Sequence, residues 1–136
     1  VKEYSIPLLG ICLGMQLLAT TGTESGEAPG LDIIPGRVVR LEPKKENTPI
    51  PHVGWNEVWQ RAQSPLFTNL SDGKDFYFTH SFHFLADNED NILATTPYCE
   101  GFASVVGQGR VFGVQFHPEK SLGVGLALLK NFMAVL

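Results

Sequence analysis

Residues 6–16 read Ile6-Pro7-Leu8-Leu9-Gly10-Ile11-Cys12-Leu13-Gly14-Met15-Gln16. The apolar run from Ile6 to Ile11 is too short for a helix, and runs of that length suit a strand buried on both faces of a parallel sheet. Leu13, Leu17 and Leu18 then fall at helical spacing, which predicts a helix from Leu13 to Thr20. Strand, sharp turn and helix, with Cys12 at the junction and glycines two residues before and two after it, have the form of a nucleophile elbow. A free cysteine is commonly a small buried hydrophobe. The elbow reverses that expectation: it pushes the thiol into the open at a helix N-terminus, where the dipole and free N–H groups favour thiolate. The Leu13 N–H is then the natural donor to a developing oxyanion.

Outward from the elbow, Thr21 to Gly30 lacks periodicity and reads as a surface loop. Arg37 to Glu42 and Asn56 to Trp59 are strand-like, with the polar stretch Pro43 to Pro51 between them. Asp75 to Phe82 is an aromatic strand and Asn91 to Thr96 another, each following turn residues, Ser71-Asp72-Gly73 and Asp87 to Asp90. Phe102 to Val106, Gly107-Gln108-Gly109 and Arg110 to Phe116 form a hairpin pattern. Apolar residues at 126, 128, 129, 132, 133 and 136 predict a helix from Leu122 to Leu136 whose inner face packs on the sheet. The expected class is therefore α/β, as one domain over residues 1–136, since 136 residues with 43% hydrophobic content can bury one sizeable core.

Composition narrows the function. A net charge of −4, from 14 acidic against 10 basic residues without a basic run, argues against nucleic acid and anionic membranes as partners. Two cysteines, Cys12 and Cys99, are too few for a disulfide scaffold and fit a reducing cytoplasm. No apolar run approaches the roughly 20 residues that span a bilayer, and Val1 to Ile6 lack the apolar region of a signal peptide. Asn69-Leu70-Ser71 matches a glycosylation pattern that would matter only in a secreted protein.

A thiol nucleophile needs a base, and the base an orienting partner. Of four histidines, only His117 has a carboxylate suitably spaced: in His117-Pro118-Glu119 the proline sets an extended turn that lets Glu119 hold the ring in one tautomer. Cys12, His117 and Glu119 thus form a candidate triad. His52, His80 and His83 with Cys99 lack the spacing of a zinc set, so no metal is expected, and Cys99 reads as structural.

Gly10 to Gln16 together with Gly113-Val114-Gln115-Phe116-His117-Pro118-Glu119 resemble the two signatures of class I, triad-type glutamine amidotransferases. Within that family, Pro35 to Val38, Pro51-His52-Val53-Gly54-Trp55-Asn56, Tyr77 to Phe82 and Lys120-Ser121 are most similar to the glutaminase subunits of imidazole glycerol phosphate synthases. The resemblance implies a three-layer flavodoxin-like α/β fold with a mixed sheet and an added β-hairpin. It implies that Cys12 attacks the glutamine carboxamide, that His117 moves protons and Glu119 orients it, and that no cofactor is used. It implies substrate contacts from Gln16, the Leu13 N–H and the main chain of His80-Ser81-Phe82. It also implies a (β/α)₈-barrel cyclase as heterodimer partner, which receives ammonia to build the imidazole ring in histidine biosynthesis, with Trp55, Asn56, Tyr77 and Lys120 facing it.

Family members carry roughly another third of a chain before the elbow strand, including a Pro-Gly-Val-Gly-like segment that supplies a second oxyanion donor. The chain is therefore expected to be the C-terminal portion of a larger subunit. Two rival readings follow: a paralogous amidotransferase feeding a different synthase, and a non-catalytic fragment that only docks one.

Overall fold

The computed structural model describes residues 5–136. Residues 1–4, part of the leading segment read above for a targeting signal, lie outside the described residues. In chain order the elements are β1 (Leu8–Ile11), α1 (Leu13–Gln16), β2 (Thr21–Gly22), β3 (Ala28–Pro29), β4 (Gly36–Arg40), β5 (His52–Gln60), β6 (Lys74–His80), β7 (Phe82–Ala86), β8 (Ile92–Thr96), β9 (Phe102–Gln108), β10 (Val111–Val114) and α2 (Leu122–Met133).

The sheet is mixed. β1 runs parallel to β10, with Leu8 opposite Val111 and Ile11 opposite Val114, and β2 runs parallel to β4. The β9–β10 hairpin is antiparallel, and β9 also borders β7 and β8. From there the order continues through β8 to β5 and β6 on one side, and through β7 to β4, β2 and β3 on the other.

Side chains alternate across the central strands as the two-residue period requires. Leu9, Ile11, Phe112 and Val114 enter one core with Phe76, Phe78, Phe116 and Leu128. Leu8 and Val111 enter the other with Met15, Leu18, Ile34 and Phe84. α2 covers the first core and α1 the second, which gives the three layers. Two glycines set this spacing: a Cβ at Gly113 would lie 2.7 Å from Met15 Cγ, and one at Gly125 would lie 1.9 Å from the Pro118 carbonyl. The second lets α2 abut the strand-end segment that carries His117.

Four elements differ from the sequence reading. The helix after Cys12 stops at Gln16, not Thr20, because the next N–H groups leave the i−4 ladder: Leu18 N–H bonds Met15 O, Ala19 N–H bonds Gln16 O, and Thr20 N–H bonds Gly36 O on β4. Thr21 to Gly30 holds β2 and β3 and is not wholly loop. The strand expected over Asp75 to Phe82 breaks at Ser81, whose carbonyl accepts Leu41 N–H as the chain leaves β5's side for β4's. The C-terminal helix ends at Met133, not Leu136: in α2, Leu128 is buried and Val124 and Phe132 pack inward, whereas Leu126 and Met133 face outward, and beyond it Val135 packs on the core and Leu136 is exposed. No helix among the described residues is long and apolar enough to cross a membrane.

Candidate active site

β1 and β10 deliver their C-terminal ends side by side, the usual location of sites in parallel sheets. Cys12 follows β1 and His117 lies three residues beyond β10; Cys12 N–H bonds Val114 O at 2.8 Å to fasten the two ends. At Cys12 the backbone has φ 54° and ψ −105°, a conformation that costs a non-glycine residue about 1–3 kcal/mol and is typical of functional sites. Gly10 permits the turn, since a Cβ there would sit 2.5 Å from the Gly14 carbonyl. A Cβ at Gly14 would meet nothing within 4 Å, so of the two flanking glycines only the first is demanded by packing among the described residues.

The thiol is half-buried, and burial pushes its pKa up; the Leu13 N–H and the Gln115 amide pull the other way, Glu119 adds to the rise and Lys120 opposes it. The Leu13 N–H favours thiolate as the elbow implies, but burial of the thiol outweighs it. Among the described residues the Cys12 thiol donates to Thr79 O at 3.8 Å and accepts from the Gln115 amide at 3.6 Å, with no hydrogen bond to His117.

His117 Nδ1 lies 3.0 Å from Glu119 Oε2, a pair whose carboxylate is half-exposed. The ring's backbone is pinned by a side chain the sequence reading gave no role. The buried Ser121 hydroxyl donates to His117 O at 2.6 Å and accepts Tyr77 N–H at 2.9 Å, while His117 N–H bonds Tyr77 O at 2.9 Å.

Gln16 joins the thiol through a second amide, Gln115. Its amide donates to Phe82 O at 3.3 Å and to Gln115 Oε1 at 3.2 Å, so it joins the His80-Ser81-Phe82 main chain to the elbow. Gln115 is fully buried, and a lone amide in the apolar run Val114-Gln115-Phe116 is the sequence signal that marks it. Leu13 and Gln16 border a cavity of about 220 Å³ whose wall includes Thr23, Glu24 and Gly30. Glu24 is a carboxylate there that the sequence reading passed over, and it suits the amine end of an amino-acid ligand.

Of the residues expected at a partner face, Trp55 and Asn56 lie on β5, Tyr77 on β6, and Lys120 in the turn before α2. Trp55 is 49% exposed and meets Tyr77 edge-on at 5.9 Å, and Lys120 is exposed. The Asn56 amide turns inward, to His52 and to Pro97 O. His52 and His80 bond each other at 2.9 Å, and no three His, Cys, Asp or Glu side chains among the described residues group as metal ligands. Cys99 packs at the margin of the first core.

A strained cysteine elbow beside a His-x-Glu pair on this sheet defines a class, and the family model of glutamine amidotransferase class-I matches residues 1–136: the chain belongs to that family. It is 48% identical over 136 residues to imidazole glycerol phosphate synthase subunit HisH 1 of Prochlorococcus marinus, covering 95% of this chain and 62% of that protein. It is 49% identical over 127 residues to the HisH subunit of Pyrococcus furiosus, covering 93% of this chain and 63% of that one. The chain thus spans a little over 60% of the length of these curated relatives. Among solved structures, it resembles a glutamine amidotransferase of Thermotoga maritima with TM-score 0.65 and 21% identity, covering 99% of this chain and 50% of that one. A second solved glutamine amidotransferase gives TM-score 0.64 and 22% identity over 98% and 62% of the two chains. The chain has their α/β fold.

Proposed function

We propose that residues 1–136 belong to a glutamine amidotransferase domain, as its C-terminal portion, that hydrolyses glutamine to glutamate and ammonia with Cys12 as nucleophile, His117 as acid and base, and Glu119 as the group that orients His117. Cys12 gives its proton to His117 as its sulfur attacks the carboxamide carbon, and the Leu13 N–H stabilises the oxyanion. His117 returns the proton to the departing amine, ammonia leaves and a γ-glutamyl thioester remains. Water, deprotonated by His117, then cleaves the carbon–sulfur bond, releasing glutamate and the thiol. Gln16, Glu24 and the His80-Ser81-Phe82 main chain hold the amino-acid substrate.

The observation that carries this reading is the strained turn at Cys12, tied by its own N–H to the strand that leads to the His117–Glu119 pair. The kinship with subunits named for imidazole glycerol phosphate synthase supports ammonia delivery to a cyclase of that synthase, with Trp55, Tyr77 and Lys120 toward it, while the Asn56 amide, expected there too, turns inward. In the complex, Cys12→Ala should abolish glutamine-dependent synthesis and leave synthesis from ammonium salts nearly intact. Glutamine-dependent turnover that survives the substitution would refute the nucleophile.

A further inference from the structure

Two buried histidines take no part in the mechanism above. His52 and His80 are 4% and 6% exposed on neighbouring strands, in register with each other. Their hydrogen bonds have one consistent direction, fixed at Asn56. The Asn56 Oδ1 accepts Glu57 N–H at 2.8 Å and Nδ2 donates to Pro97 O at 3.1 Å, so the amide orientation is settled and its second N–H faces His52 Nε2 at 3.1 Å. His52 Nε2 is then an acceptor, and the neutral ring carries its proton on Nδ1. That proton points at His80 Nε2, 2.9 Å away, so His80 also carries its proton on Nδ1 and donates to Phe82 O at 2.8 Å.

Phe82 O is the atom that Gln16 also binds, and Gln16 bonds Gln115, which reaches the Cys12 sulfur. Every hand-off from Asn56 to Cys12 is therefore a donor meeting an acceptor. The rings cannot turn freely: Tyr98 stacks on His52 at 3.9 Å, itself held by its hydroxyl on Pro49 O, and Phe102 lies against both imidazoles.

We propose that His52 and His80 are positioning residues, a directed pair of neutral imidazoles that ties Asn56, in the middle of β5, to the Phe82 carbonyl and so sets the Gln16 and Gln115 amides against Cys12. The proposal rests on the amidotransferase reading for its effect on turnover, though not for its geometry. A histidine pair serving only to fill the core would end on any free carbonyl. This one ends on the carbonyl shared with Gln16, where two donors converge, so the placement of that carbonyl sets where the amides that reach the thiol can lie. Burial keeps both rings neutral, with pKa values lowered to about 4, and His83 and His117 further disfavour a charge on His80.

Three measurements on the protein test this. In the unmodified protein, nitrogen-15 imidazole spectra should show His52 and His80 both as Nδ1–H tautomers, unprotonated until the pH nears 4; an Nε2–H tautomer in either ring overturns the proposal. Asn56→Asp replaces a donor by an acceptor at equal size, and should draw a proton onto His52 Nε2 and displace the pH profile of Cys12 alkylation by iodoacetamide. His80→Phe fills the same space without the tie. Each variant should lower kcat for glutamine about tenfold, the scale of one lost positioning hydrogen bond, with a smaller change in KM. Alkylation profiles and kcat within twofold of the unmodified protein in both variants would refute the tie. An unmodified protein that fails to hydrolyse glutamine would refute the amidotransferase reading instead, and the tautomers and alkylation profile would still decide this one.

Discussion

Glu119 meets His117 in a half-exposed position, so their contact adds little to stability and its worth lies in selecting a tautomer. With Nδ1–H held by the carboxylate, Nε2 is the nitrogen left for the proton exchanges that the proposed mechanism assigns to His117. Glu119→Gln keeps the size and removes the charge that stabilises the imidazolium formed during attack. We expect kcat to fall about a hundredfold, less than for a buried triad carboxylate because water partly replaces the lost oxygen, with little change in melting temperature. Steady-state kinetics and a thermal melt on the same variant check this, and a loss of fold would mean the carboxylate is structural. The thiol makes such help necessary: burial raises its pKa, so it is mostly protonated at neutral pH and must be deprotonated as it attacks.

Strand β5 is where the core and the proposed partner face separate. Val58 and His52 point into the core, whereas Trp55 and Val53 are exposed. Trp55→Ala should therefore leave unfolding nearly unchanged and weaken binding to the barrel cyclase by roughly 1–3 kcal/mol, the range of an interface anchor. Titration of the partner together with a melt of the free chain separates the two, and a lowered melting temperature with unchanged affinity would return Trp55 to a purely structural role. The elements best legible in the sequence were those whose pattern is local: the elbow with its strand, the β9–β10 hairpin with its glycines, and the helix that became α2. What could not be read depends on distant partners. The length of α1 is set by Gly36, whose carbonyl takes the Thr20 N–H, the break at Ser81 by Leu41, and the inward turn of the Asn56 amide by Pro97. The same holds for the site: Cys12, His117 and Glu119 announce themselves by spacing, while Ser121 and Gln115 act through contacts that only the folded chain creates.

At the scale of the whole molecule, buried neutral groups dictate how stability follows pH. His52 and His80 have folded-state pKa values of about 4 against an ordinary 6.5, and burial lowers His83 as well, with Glu42 opposing. Below pH 6.5 the unfolded chain takes up protons that the folded chain refuses, so stability present above that pH is lost as the pH falls toward 4, by up to about 1.4 kcal/mol per pH unit for each ring. On the alkaline side, burial raises the Cys12, Cys99 and Tyr98 pKa values, so above pH 9, where unfolded cysteines ionise first, stability should fall again. Urea unfolding across this range should give a plateau between about pH 6.5 and 9 with a decline on each side. His80→Phe lowers the plateau if the ring's contacts matter, but its diagnostic effect is on the acid limb, whose slope should decrease because one proton-refusing group is gone. An acid limb unchanged in slope would mean that other groups govern acid unfolding and that the histidine pair is not held neutral by the fold.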